Sequence, residues 1–374
     1  MDTTRLQEIR EIQEESDNPT DYWKQSIQVY NQTFKINETS SLHLENTESH
    51  IYKMNDSNQI TAPNHELLKS LKCTVTVAGL IGNVITFITL SINGKDLPII
   101  GRFLLIHQAT VDTFVCLMSL GMYIQPFMWM TGNTTFDFLL CQIWHGQPIY
   151  WGAVLLSVWN VVLIAHERFM LILHPFKHQN ISITRISKVL AVLYLLSIMC
   201  LLPAYLQVMY DPNSKKCLNM YYIQTDDFYH FMQFYGVFWF FIVYAIPITI
   251  LIVLYSKIIV QLRGMYQVSE IFKSQEEDNQ IYELADRQIT KTAIAIAVAF
   301  IISIGWDAFY CLLGFTGIIK YEFNKPLQVI GVFLSTLNSC TTPFIFAAFM
   351  PMFRKILKAC GLPSCGTKMT YIEK

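Results

Sequence analysis

A helix that crosses the hydrocarbon core of a bilayer takes about 20 mainly apolar residues. This chain contains seven runs of that kind, at roughly 70–93, 102–128, 139–172, 185–208, 229–259, 288–318 and 326–348. Open sheets cannot cross lipid, because their edges leave backbone groups unsatisfied, and these runs are too long and unbroken to be barrel strands. The expected fold is therefore an all-α membrane protein, a seven-transmembrane helix bundle. Composition points the same way. Hydrophobic residues make up 52% of the 374-residue chain and charged residues 15%, against roughly 25% charged in soluble domains. The formal net charge of −1 gives no bulk attraction for nucleic acid.

Residues 1–69 differ from the rest. They are polar and acidic, and they hold the glycosylation triplets Asn31-Gln-Thr, Asn37-Glu-Thr and Asn55-Asp-Ser. Three acceptors in one polar tail argue for an extracellular segment, expected to be disordered. No apolar signal-peptide core precedes them, so the first membrane helix is expected to export the tail. Residues 70–349 then form the bundle and 350–374 a cytoplasmic tail.

Loop charges set the orientation. With the N-terminus outside, the inner loops and C-terminal tail carry Lys95, Arg102, Lys177, Arg185, Lys188, Lys257, Arg263, Arg287, Lys291, Arg354, Lys355 and Lys358. The outer loops carry Lys215, Lys216, Lys320 and Lys325. The expected location is the plasma membrane, multi-pass, with Asn133-Thr-Thr outside and Asn180-Ile-Ser inside. Of nine cysteines, most lie within apolar runs, whereas Cys141 and Cys217 sit where helices meet loops.

The third run ends "VVLIAHERFMLILHP" (161–175), with His166, Glu167 and Arg168 in a row on an oily segment. A buried charge is costly unless it is paired or solvated. The triplet alone is equally consistent with an arginine that snorkels to the membrane boundary. Asp112, at mid-membrane depth in the second run, is by default a functional residue.

Several patterns in sequence order resemble the rhodopsin-like (class A) G-protein-coupled receptors over about residues 70–360. They are "GLIGNVITF" with Asn83, "LIHQATVDTF" with Asp112, "SVWNVVLIAHERFMLILHP" with Ser157, Glu167, Arg168 and Pro175, "IPITILIVLY" with Pro247 and Tyr255, "FIISIGWDAFY" with Trp306, and "LNSCTTPFIF" with Pro343. "MPMFRKIL" resembles the short cytoplasmic amphipathic eighth helix. The departures are Phe169, Ala308, Thr342 and Phe346 in place of the family's Tyr, Pro, Asn and Tyr. Leu193 stands near an expected Trp, and Cys141 lies about two residues further from Arg168 than the pattern has it.

The resemblance implies a receptor that binds an extracellular ligand and activates heterotrimeric G proteins through Glu167, Arg168, Tyr255, Gln288, Trp306 and Pro343. Glu167 would hold Arg168 until a partner enters from the cytoplasm, and Tyr255 would hold the freed arginine. Gln288 stands where an acid often closes the switch. Since a neutral amide bonds arginine more weakly than a carboxylate, appreciable basal signalling is expected. The resemblance also implies a sodium pocket at Asp112, Ser157, Asn338 and Ser339, with Thr342 as a further oxygen donor. The alternative there is a protonated acid in a polar core. It implies a Cys141–Cys217 disulfide, and Cys360 and Cys365 as palmitoylation sites or free thiols.

The outer half is rich in aromatics, Tyr123 among them, and Tyr150, Trp151, Trp239, Trp306, Asp307, Phe309 and Tyr310 are the candidate ligand-pocket residues, because an aromatic outer half suits a small-ligand cavity. Individually, such aromatics also fill cores or face lipid. Asp307 suits a cationic ligand or a neighbouring helix. Retinal is not expected, since the resemblance puts Thr336 at the retinal-lysine position. An amine held as in aminergic receptors is not expected either, since Tyr150 replaces their Asp. The acidic tail and "QTDDFYH" favour a basic peptide. The alternatives are a receptor-like protein without coupling and a small-solute transporter, although no internal repeat supports the transporter. No metal spacing, phosphate loop or nucleophile elbow suggests an enzyme.

Overall fold

The computed structural model describes residues 62–94, 97–124, 131–205, 208–212, 216–219, 226–271, 277–319 and 326–349. The tail acceptors Asn31, Asn37 and Asn55, the eighth helix, and Cys360 and Cys365 lie outside the described residues. So does the Gln288 side chain.

The elements are α1 (Ala62–Asn93), α2 (Ile99–Ile124), the short α3 (Thr134–Leu140), α4 (Pro148–Leu173), the single turn α5 (Pro175–His178) and α6 (Ile183–Tyr205). A hairpin of β1 (Val208–Asp211) and β2 (Lys216–Asn219) follows, then α7 (Asp226–Phe240), α8 (Ile246–Ile271), α9 (Glu277–Phe315) and α10 (Pro326–Phe349). Among the described residues, seven helical segments are long and apolar enough to cross a membrane. They match the seven expected runs in order. Several helices extend further than the apolar runs. The first begins at Ala62 and the sixth at Glu277, because hydropathy marks the thickness of lipid and not the end of a hydrogen-bonded helix.

The core is built around α4. Val154, Leu155, Val158, Val161 and Ala165 face inward among Leu104, Val115, Leu251, Ile258, Phe300 and Ile304. The opposite situation holds on α6, where Val192, Leu195, Leu196, Ile198, Met199 and Leu202 are exposed. Exposed apolar side chains in such a row have only lipid as a solvent to satisfy them. α1 is fastened to α10 by Asn83, whose Nδ2 donates to the Ser339 carbonyl at 2.9 Å and to Gly79 O at 3.0 Å.

The third expected run does not form one helix. It is α3, a π-helical turn at Cys141–His145, and then α4, joined through Gln147 at φ 54° and Pro148 at the first helical position. A π turn takes in an extra residue. Together with the left-handed joint it accommodates the longer Cys141-to-Arg168 spacing. A π turn also joins α7 to α8 at Phe241–Ala245.

Cys141 and Cys217 form a disulfide with Cα atoms 5.6 Å apart. It ties β2 to the π turn, and Tyr210 pairs with Cys217 across the hairpin. Asp137 secures the same region. Its carboxylate accepts from Thr131 N at 2.8 Å, Thr131 Oγ1 at 2.9 Å, Gly132 N at 3.0 Å and Tyr210 OH at 3.2 Å.

Candidate functional site

Among the described residues, three clusters of buried polar side chains stand out in the interior. The first is at the end of α4 that carries Arg168. Glu167 and Arg168 are each 2% exposed, so the arginine is inside the bundle and does not snorkel. Arg168 Nε donates to Glu167 Oε2. His178, delivered by the α5 turn, donates from Nε2 to Glu167 Oε1 at 3.1 Å. One carboxylate thus has a partner on each oxygen, which is what a desolvated acid requires. His166, immediately before them in sequence, is exposed. Gly101 of α2 lies against the guanidinium so closely that a Cβ there would meet Arg168 Nη2. Glu167 and Arg168 line a small cleft with Gly101, Leu105, Ile164, Thr292 and Ala293, between α2, α4 and α9. Tyr255 of α8 is buried, and its hydroxyl makes no hydrogen bond among the described residues. Pro343 lies within α10 against Gly82 of α1.

The second group surrounds Asp112, which is wholly buried. Ser157 Oγ donates to Oδ1 at 2.9 Å. Gln108, one turn earlier on α2, donates from Nε2 to both carboxylate oxygens at 3.1 Å. Ser339 and Thr342 supply further hydroxyl contacts. Asn338 is buried close by in sequence, and its carbonyl accepts from Thr341 Oγ1 at 2.8 Å. Sequence reasoning named Asp112, Ser157, Asn338, Ser339 and Thr342 but missed Gln108. Its i, i+4 spacing to Asp112 places both on one helix face, so the signal was there.

The third group is in the other half of the bundle. Thr336 of α10 is a polar hub. Its Oγ1 lies 2.8 Å from Ser119 Oγ, 3.1 Å from Tyr150 OH and 3.3 Å from Tyr123 OH, and it donates to Val332 O at 2.9 Å. Tyr150 also donates to Val332 O at 3.0 Å. Trp151 packs edge-on between Tyr150 and Trp239, at 5.0 and 6.3 Å between centroids. Asp307 is 2% exposed, and its hydrogen-bonded neighbour is the weak thiol donor of Cys311 at 3.8 Å. Gly331 of α10 faces Asp307, with room for little more than a hydrogen. Tyr310 is buried as well.

Two expected pocket residues are corrected by this geometry. Trp306 and Phe309 are 44% and 47% exposed. The inward stripe of α9 is Phe300, Ile304, Asp307, Ala308, Cys311 and Phe315, at i, i+4 and i+7 spacing, which turns residues 306 and 309 the other way. Trp306 instead donates its indole N–H to Leu327 O at the start of α10, 3.1 Å away. Phe309 packs at a tilt against Phe240 and edge-on against Tyr244. Trp306 is thus not an inward-facing part of the switch either.

These features agree with comparisons to known proteins. The profile of the 7 transmembrane receptor (rhodopsin family) matches residues 82–346. The chain is 22% identical to the blue-sensitive opsin of Anolis carolinensis over 261 residues, 68% of this chain and 69% of the opsin. It is 24% identical to trace amine-associated receptor 1 of Macaca mulatta over 321 residues, 82% of this chain and 89% of that receptor. The human trace amine-associated receptor 1 is 23% identical over the same length. With seven spans in place and a profile match that runs from the first helix into the last, the chain belongs to the rhodopsin family of seven-transmembrane receptors.

Proposed function

We propose that this receptor binds an extracellular ligand and activates heterotrimeric G proteins by releasing Arg168 at the cytoplasmic end of α4. The observation that carries the reading is the buried Glu167–Arg168 pair, with His178 on the far oxygen of the acid and a small cleft beside it. An arginine that cannot lose its charge is stable there only while the acid neutralises it. Tyr255, buried and with no hydrogen bond to its hydroxyl among the described residues, supplies an acceptor for the arginine in a second position. Opening the cleft between α4 and α9 would give a partner's helix access to it.

The test is expression with a panel of G proteins, comparing basal signal for the wild type and Arg168→Ala. Loss of basal signal in the variant is the expected outcome. No difference at equal surface expression would overturn coupling and favour the receptor-like or transporter alternatives.

For the ligand, the acidic tail and the acids of "QTDDFYH" support a basic peptide steered by charge. A second reading rests on Asp307, a buried carboxylate whose hydrogen-bonding neighbour among the described residues is the Cys311 thiol. It suits a small amine cation reached from the outer side, and trace amine-associated receptor 1 is among the relatives. Asp307→Asn separates the two readings. It should abolish an amine response and leave a peptide response near the wild-type level. Light sensing is the least favoured reading despite the opsin relatives, because no lysine lies between Lys325 and Arg354.

A further inference from the structure

Gln108 belongs to none of the residues expected to switch, bind or coordinate. It is 1% exposed and sits on α2 one turn before Asp112. Both its amide nitrogen and its carbonyl oxygen are hydrogen-bonded. One amide hydrogen spans the two oxygens of Asp112 at 3.1 Å, and the other points to Ser157 Oγ at 2.6 Å. Its Oε1 accepts from Asn160 Nδ2 at 2.7 Å.

The chain of partners continues. Asn160 donates its second hydrogen to Leu104 O at 3.1 Å, and its Oδ1 lies 3.0 Å from His107 Nδ1. That contact requires a proton on Nδ1. Nε2 of the same ring then accepts from Tyr194 OH at 3.0 Å. Every donor from Gln108 to Tyr194 has an acceptor, so α2, α4 and α6 hold the amide in one position.

A cation at Asp112 would need the lone pairs of Asp112 and Ser157 to converge on it. Here the Gln108 amide nitrogen sits where those lone pairs converge. It lies at donor distances from the three oxygens and has no acceptor of its own to offer an ion. The expected set of Asp112, Ser157, Asn338 and Ser339 therefore does not fit sodium while Gln108 is present. We propose that the Gln108 amide is a built-in replacement for a bound monovalent cation, and that it closes the Asp112 pocket to sodium.

The experiment is thermal unfolding of the full-length purified receptor in matched sodium chloride and N-methyl-D-glucamine chloride. Ions that bind the folded state raise Tm by linkage, and this readout needs neither a ligand nor a G protein. It can therefore fail without touching the receptor reading. The wild type should melt at the same temperature in both salts. Gln108→Ala, or Gln108→Leu should the alanine variant lack a cooperative melt, should gain a sodium-specific rise in Tm. Adding Asp112→Asn should erase that rise. A sodium-specific rise in the wild type would overturn the proposal, as would a sodium-blind response in every variant that melts cooperatively. If neither variant melts cooperatively, the wild-type comparison decides alone.

Discussion

At the scale of single residues, a guanidinium taken out of water is affordable only beside an acid that is itself fully bonded. Glu167 meets that condition through Arg168 and His178. Replacing it by Gln keeps the shape but exchanges a charge-assisted bond for a neutral one, a loss of about 1 kcal/mol. In a two-state equilibrium that is about a fivefold shift. Glu167→Gln should raise ligand-free signalling by about that factor, read in the G-protein assay. Gly101→Ala should act in the same direction by a different route. Its Cβ would occupy the space of Arg168 Nη2. The end of a long side chain yields more readily than a helix backbone, so the arginine should leave its seat while Tm changes little. A large drop in Tm with unchanged basal signal would show that the arginine does not move. Much of this group was legible in advance, since Glu167 and Arg168 come from one short pattern and Tyr255 from another. His178 was not. It is eleven positions from Glu167, and only the single turn of α5 returns it to the acid.

At the scale of elements, the third span shows what hydropathy can and cannot report. Apolar character runs on through 139–172, so the sequence reads as one helix. The break consists of hydrogen-bond geometry at Cys141–His145 and one left-handed residue, Gln147. The spacing from Cys141 to Arg168 was the legible trace of that break. The facing of α9 was illegible for a related reason. A helix apolar on all sides carries no amphipathic stripe, so Trp306 looked inward by family pattern while packing turned Asp307 there. The joint at Gln147 can be tested. A left-handed L-residue costs roughly 1–2 kcal/mol, which glycine avoids, while glycine loses about 0.5–1 kcal/mol more chain entropy on folding. Gln147→Gly should therefore melt at or slightly above the wild-type temperature. Gln147→Val, β-branched where φ is positive, should melt clearly lower. Equal melting of both variants would mean that the joint is not held at positive φ.

At the scale of the whole molecule, the seven spans among the described residues make an odd number of crossings, so the start of the first and the end of the last lie on opposite faces of the bundle. Loop charge then predicts which side is which, with the N-terminus outside. Glycosylation reads this out directly. Asn133 lies in the link between the second and third spans and caps α3, its Oδ1 accepting from Thr135 N at 3.1 Å and Phe136 N at 3.2 Å. A sugar attaches at Nδ2 and leaves Oδ1 in place, so the cap and the modification are compatible. Asn180 is also exposed and also heads an acceptor triplet, but one span further along, and so on the other face. Both side chains are exposed, although Asn180 Nδ2 donates to Phe176 O at 3.2 Å, and the two triplets lie on opposite faces. Replacing Asn31, Asn37, Asn55 and Asn133 together by Gln should remove every glycosidase-sensitive shift in gel mobility. Asn180→Gln should leave the shift of the native chain unchanged. A shift that survives the fourfold replacement and disappears with Asn180 would invert the molecule, placing Arg168 and its cleft outside the cell where no G protein could reach them.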